Sequence, residues 1–205
     1  MNALFYLSSG ILLGLASGLA PGPLFTLVIT ETLKHSKKEG IKISCAPLFT
    51  DLPIILLSVY LLAEISQFRY ILGILSLAGG FFIGYLGLAN LSFKGIHFNP
   101  TEDIPHSFIK GITTNFLNPH PYIFWITVGA PIMIKAYRIS PLFPVFFLVG
   151  FLGTLVGSKI VITLIIERSK SLLNNNLYFF LIRFLGIVLI LFALFLFKDS
   201  LTLLR

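Results

Sequence analysis

The sequence predicts an all-α membrane protein with about six transmembrane helices, arranged as two inverted repeats of three helices. The composition indicates that the chain lies in a lipid bilayer. The 205-residue chain is 56% hydrophobic and 11% charged, whereas about a quarter of the residues in a soluble domain are charged. Several apolar segments also reach the length of about 20 residues that crosses a bilayer. A segment surrounded by lipid must satisfy its own backbone polar groups, so these segments are predicted to be helices.

Six apolar segments follow one another with short polar connections between them. They lie near residues 4–30, 43–63, 70–92, 111–134, 143–166 and 178–197. No connection has room for a soluble domain, so we expect one transmembrane domain over residues 1–205. The first segment has no Lys or Arg before it and is longer than the core of a secretory signal, so we expect it to be a retained helix.

The net charge of +7 concerns membrane topology. Lys and Arg lie mainly in the connections, where they meet lipid headgroups, so no nucleic-acid partner is expected. The odd-numbered connections carry more of these residues than the even-numbered ones, and the densest group is the first connection, Lys34 to Lys42. The positive-inside rule therefore predicts that the odd connections are cytoplasmic and that both termini lie outside.

Cys45 is the only cysteine, which excludes an internal disulfide.

The chain divides into two similar halves. Residues 1–92 and 111–205 each contain three apolar segments, and residues 93–110 link them. The first segment of each half is interrupted by prolines, in Pro21-Gly22-Pro23 and in Asn118-Pro119-His120-Pro121. Because three is an odd number, the second half must insert upside down relative to the first, as in many secondary transporters.

Both proline motifs predict a helix break at membrane depth. Each proline lacks an N–H and clashes with the carbonyl four residues earlier. The carbonyls freed in this way are those of Ser17, Leu19, Asn115 and Leu117. Unwound backbone at this depth persists only inside protein or along a watery cavity. Either motif alone is compatible with a simple packing kink, but corresponding breaks in both halves favour a binding site.

Two charged side chains lie inside apolar segments. A carboxylate at the depth of Asp51 costs at least about 2.5 kcal/mol, so we interpret it as a proton-coupling group or a partner for a substrate ammonium. A structural ion pair is the alternative. Lys159 either pairs with Asp51 or snorkels to the headgroups along its aliphatic stem. Asn115, Asn118 and Thr113 add uncharged donors and acceptors suited to a zwitterionic ligand.

Several motifs in a fixed order resemble a known family. They are Pro21-Gly22-Pro23, Lys37-Lys38-Glu39-Gly40, Asp51, Gly84-Tyr85-Leu86-Gly87 and the run from Gly111 to Pro119. In this order they resemble the lysine exporter and homoserine/threonine efflux (LysE/RhtB-type) translocator family, over nearly the whole chain. The resemblance implies a six-helix, multi-pass exporter of amino acids or related small solutes in the inner membrane, working by proton antiport.

Three positions depart from the family pattern. His120 stands where the family more often has lysine, Lys159 lies in a helix usually richer in Trp and Gly, and Phe192 occupies a region where glycine is common. These departures concern the substrate more than the fold. The predicted partners are a small-molecule substrate, protons and the lipid bilayer. The substrate's identity and the choice between a monomer and a homo-oligomer stay open.

Other function classes fit less well. The chain has no His-Glu-x-x-His motif, no second intramembrane aspartate and no Ser with a candidate His base, so an enzyme is not expected. A cation or heavy-metal exporter is the closer alternative, although one Cys and two Met offer few soft ligands. A structural subunit would leave Asp51 and both breaks unexplained. No cofactor or metal site is predicted, because the linker residues His97, Glu102, Asp103 and His106 are irregularly spaced.

Overall fold

A computed structural model of the chain describes residues 2–65, 69–92, 106–168 and 176–204. In these ranges the backbone is helical apart from short connections, and it contains no strand, which confirms the predicted all-α class. The helices are α1 (Ala3–Leu19), α2 (Pro23–Lys34), α3 (Lys37–Ser44), α4 (Ala46–Ile65), α5 (Arg69–Leu91), α6 (Ser107–Leu117), α7 (Pro119–Phe124), α8 (Ala130–Tyr137), α9 (Phe143–Arg168) and α10 (Asn176–Leu204). A π-helical turn, Trp125–Gly129, joins α7 to α8.

Both predicted helix breaks are present. The first apolar segment is divided into α1 and α2, which are bent by 60° relative to each other. Proline suits the first position of α2, because the N–H that Pro23 lacks would have no partner inside the helix. The second break falls at Asn118, whose extended backbone (φ −79°, ψ 122°) separates α6 from α7. The prolines therefore interrupt the helices where the sequence predicts.

The first connection differs from the expectation of a polar loop. Residues 37–44 form α3, which runs into α4 with only Cys45 between them. Lys42 Nζ lies 2.7 Å from Glu39 Oε1, a pair three residues apart along the helix. Gly40 lets α3 approach its neighbours closely, since a Cβ there would meet the side chains of Thr32 and Thr163. Packing against α2 and α9 thus turns a charged connection into a helix.

Two helices of the described chain are long and apolar enough to cross a membrane, and a third span results if α1 and α2 together form one crossing. The two helices are Lys37–Leu62 and Phe143–Arg168, each 26 residues long. The outer surface is apolar, with Leu56 71% and Phe81 66% exposed, as expected of helices that face lipid. The protein is therefore a helical membrane protein, and six spans remain a prediction.

Helix α1 packs along α9 through glycines on one face. A Cβ on Gly10 or Gly14 would meet the carbonyl oxygens of Phe147 and Phe151, respectively. In the opposite direction, a Cβ on Gly150 of α9 would lie 2.7 Å from a carbonyl oxygen of α1. Small residues spaced by four allow such close backbone contact between membrane helices. This contact brings the middle of α9 to the carboxyl end of α1.

Candidate binding site at the helix breaks

The two helix breaks line one cavity of about 160 Å³. The first break contributes the backbone around Gly22, and the second contributes Asn118. Helices α4 and α9 complete the wall, and Phe124, Trp125 and Phe151 form an aromatic side of it. Eight of the ten site residues predicted from the sequence line this cavity: Ser17, Pro21, Gly22, Pro23, Asp51, Asn115, Asn118 and Lys159.

Among the predicted site residues whose side chains the structure describes, Thr113 does not line the cavity. Thr113 is exposed, because it lies two residues before the buried Asn115 on α6 and so points about 200° away around the helix. The structure therefore places the Thr113 side chain away from the cavity. The backbone of Pro119 begins α7, and its side chain lies outside the described residues.

The linker adds no site in the part of the chain that the structure describes. His106 is exposed at the start of α6, and His97, Glu102 and Asp103 lie outside the described residues. Over the described ranges, no three side chains of His, Cys, Asp or Glu come together as metal ligands.

Asp51 is buried and is held by neutral hydrogen-bond donors from several elements. Its exposed fraction is 4%. Asn115 Nδ2 of α6 donates to Oδ1 at 2.8 Å, and Trp125 Nε1 donates to Oδ2 at 3.3 Å. The hydroxyl of Thr50 lies 3.4 Å from Oδ1, donates to the Ala46 carbonyl and accepts from Asn115 at 2.6 Å. The carboxylate is thus oriented without a direct cationic partner.

Trp125 lines the cavity and was not predicted from the sequence. It is fully buried and lies at the start of the π-helical turn, a distortion that is frequent at functional sites. The sequence carried one signal: the only tryptophan of the chain follows the second proline motif by four residues. By composition alone the indole counts as apolar, and only the fold pairs its N–H with Asp51.

Lys159 is buried at the end of α1. It is 3% exposed, and its Nζ donates to the Gly18 carbonyl at 2.9 Å. Its ammonium also lies 5.7 Å from the centre of the Phe25 ring, within reach of a cation–π contact. The snorkelling interpretation was therefore wrong. The carbonyl that accepts from Lys159 belongs to Gly18. This residue lies between Ser17 and Leu19, whose carbonyls were predicted to be freed by the prolines.

Asp51 and Lys159 face the same cavity without touching. The ion pairs found within 4 Å in the described chain do not include them. Each charge has its own partners, on α6 and the π-helical turn for Asp51 and on α1 for Lys159. The direct pair that the sequence left open as one alternative is therefore not formed, and the cavity separates two opposite charges.

The first break also presents two helix ends of opposite polarity. The carboxyl end of α1 has carbonyls without partners in the helix itself and carries partial negative charge, and the amino end of α2 carries partial positive charge. Gly22 precedes α2 and supplies no side-chain cap. At the second break, by contrast, Asn118 Oδ1 accepts from the His120 N–H at 3.1 Å and so caps α7.

A second buried carboxylate lies at one end of the bundle. Glu31 on α2 is 3% exposed and accepts from Ser107 at 2.8 Å and from Lys110 at 3.1 Å, both on α6. His35 Nε2 lies 3.6 Å away. This cluster was not predicted from the sequence, because Glu31 stands at the border of the first apolar segment and both Ser107 and Lys110 lie more than 70 residues away.

A comparison with family models gives one match over most of the chain. The model described as "LysE type translocator" matches residues 15–200. No curated protein and no solved structure matches the chain.

Proposed function

Because the chain belongs to the LysE type translocator family, a family of transporters rather than enzymes, we propose that it exports amino acids or related small zwitterions across the inner membrane in exchange for protons. One observation carries the proposal: Asp51 and Lys159, two buried side chains of opposite charge, face a single cavity between two helix breaks without pairing with each other.

The separated charges match the two ends of a zwitterion. A substrate ammonium is attracted to the Asp51 carboxylate, and a substrate carboxylate is attracted to the Lys159 ammonium and to the uncapped amino end of α2. Aromatic and proline side chains form much of the remaining wall. Few polar groups on a mostly apolar surface are typical of small-molecule sites, and the volume of about 160 Å³ suits a small solute.

Exchange for protons follows from competition at one carboxylate. An ionised Asp51 attracts the ammonium of the substrate, whereas a protonated Asp51 no longer does. Neutral donors from Asn115 and Trp125 hold the carboxyl in place in either state. A group that binds either a proton or the substrate, and is exposed to one side at a time, couples the inward movement of protons to export.

The proposal includes six membrane spans with both termini outside and two inverted repeats. Contacts between connections support this topology, because every second connection of a helical bundle lies on the same side of the membrane. Lys37 of the first connection lies 3.1 Å from Glu167, at the start of the fifth. Glu31, just before the first connection, binds Lys110, at the end of the third.

Flux in proteoliposomes tests this function. Efflux of a panel of labelled amino acids is measured with and without a pH gradient, for the wild type, Asp51→Asn and the control Glu167→Gln, which removes a half-exposed carboxylate from an ion pair. We expect the pH gradient to stimulate the wild type and the control but not Asp51→Asn. Full gradient-driven efflux by Asp51→Asn would refute the coupling role, and no flux of any amino acid would refute the substrate class.

A further inference from the structure

The carboxyl end of α1 attracts a cation, but its last turn contains no basic residue of its own. The last carbonyls of a helix lack partners within it and carry partial negative charge. The cation that meets them comes from another helix, since Lys159 of α9 donates to the Gly18 carbonyl at 2.9 Å. The ammonium is thus a ligand of the helix end.

The end of a helix at a break is also a place where a metal cation binds. In discontinuous transporter helices, unwound carbonyls and carboxyl-terminal half-helix ends coordinate sodium ions. Carbonyl, carboxylate and hydroxyl oxygens are the ligands that hard cations prefer. Here Lys159 donates to the Gly18 carbonyl, and Lys159 lines the cavity together with Asp51 and Ser17, which carry a carboxylate and a hydroxyl.

We propose that the Lys159 ammonium occupies the position of a sodium ion at the end of α1, so that this transporter needs no sodium while a variant without the ammonium binds sodium there. The proposal concerns the helix break and does not depend on which solute is carried. The charge is delivered by a covalent tether, so no ion has to be recruited from solution.

The packing of α9 on α1 fixes the ammonium in this position. A Cβ on Gly18 would meet the hydroxyl of Ser158, the residue before Lys159, and would lie 2.8 Å from the Leu155 carbonyl. With the backbones this close, the lysine stem reaches the Gly18 carbonyl while its side chain stays buried. The Phe25 ring covers the ammonium at 5.7 Å and helps to exclude water.

Thermal melts of the purified protein test the proposal without any transported solute. The wild type, Lys159→Gln and the control Lys110→Gln, a lysine that binds Glu31 instead, are melted in sodium chloride and in choline chloride. We expect sodium to raise the melting temperature of Lys159→Gln by at least about 2 °C. The wild type and the control should melt at the same temperature in both salts.

Flux in the same two salts provides the second measurement. Wild-type efflux should be unchanged when choline replaces sodium, whereas efflux by Lys159→Gln should fall in choline and recover in sodium. Lys159→Arg keeps a cation and should stay insensitive to sodium.

Three results would overturn the proposal: a sodium requirement in the wild type, a folded Lys159→Gln that responds to sodium in neither assay, or loss of folding of both Lys159→Gln and Lys159→Asn in sodium as well as in choline. The last counts against it because sodium should restore a variant that lacks only its cation. Failure of the amino-acid flux assay leaves the melts unaffected, so the two proposals are tested separately.

Discussion

The indole N–H of Trp125 donates to the Asp51 carboxylate at 3.3 Å, across 74 residues of sequence. This bond joins α4 of the first half to the π-helical turn of the second half. Trp125 is the only tryptophan of the chain, so intrinsic tryptophan fluorescence reports on the surroundings of a single carboxyl group. A change in the state of Asp51 should therefore be visible without an added label.

Trp125→Phe should weaken both the site and the fold. The variant keeps a ring in the aromatic cluster with Phe151, 5.0 Å away between ring centres, but removes a hydrogen bond to a charged group, which is worth about 1.5 to 3 kcal/mol. Denaturant unfolding in detergent measures the loss. In the Asp51→Leu background the same substitution should cost clearly less, and equal costs in both backgrounds would show that the hydrogen bond contributes nothing.

Two neighbouring positions on α6 should respond differently to the loss of a polar side chain. Asn115→Ala removes a donor to Asp51 and to Thr50, so we expect it to lower gradient-driven flux and to cost about 1 to 3 kcal/mol of stability. Thr113→Ala changes an exposed residue and should behave as the wild type. Flux assays and melts of both variants check this, and a defect of similar size in Thr113→Ala would contradict the site described above.

The glycine contact between α1 and α9 should not tolerate a methyl group. In Gly14→Ala the new Cβ meets the Phe151 carbonyl and the Thr154 hydroxyl, and such overpacking costs about 1 to 3 kcal/mol. Gly153→Ala is the matched control, since its Cβ would have nothing within 4 Å and alanine favours a helix by about 1 kcal/mol over glycine. The two variants should shift the melting temperature in opposite directions, and a neutral Gly14→Ala would argue against close packing.

Two lysines at the same end of the bundle should differ in their effect on stability. Lys110→Met leaves the buried Glu31 short of a cation, and an unsatisfied buried acceptor costs about 1 to 3 kcal/mol. Lys37→Met breaks an ion pair whose side chains are 48% and 38% exposed, and such pairs contribute about 0 to 1 kcal/mol. Melts at low and high salt compare the two. Equal losses would mean that the Glu31 cluster is no stronger than a surface pair.

Accessibility of single cysteines tests the orientation in the membrane. In a Cys45→Ser background, cysteines replace Lys38 and Ile139, which are both exposed. A membrane-impermeant thiol reagent should label Ile139→Cys in intact cells and Lys38→Cys only after permeabilisation. The reverse pattern would invert the proposed orientation, and labelling of both positions from the same side would contradict the odd number of spans, three, proposed between them.

The sequence predicts the helix breaks and the buried position of Asp51 correctly, because each conflicts with local physical chemistry. Proline cannot continue a helix, and a carboxylate inside an apolar segment needs a compensating environment. The partners of these residues depend on long-range packing, which local rules do not contain. Local rules count Trp125 as apolar, and only the folded structure shows that its N–H donates to Asp51. The sequence alone is also compatible with Lys159 at the lipid surface. Only the close packing of the α1 glycines on α9 places the Gly18 carbonyl within reach of its ammonium.

The glycine face of α1 also determines where the molecule can bend. Gly10, Gly14 and Gly18 are each opposed by atoms of α9, so sliding one helix along the other would drive backbone into backbone. We therefore expect α1 and α9 to move as one unit, and the chain leaves this unit at residues 20–22, where the 60° bend occurs. We expect α2 to swing about this hinge while α1 and α9 keep their separation. Pulsed distance measurements between spin labels on α1 and α9, and on α1 and α2, with and without a pH gradient, would detect the difference.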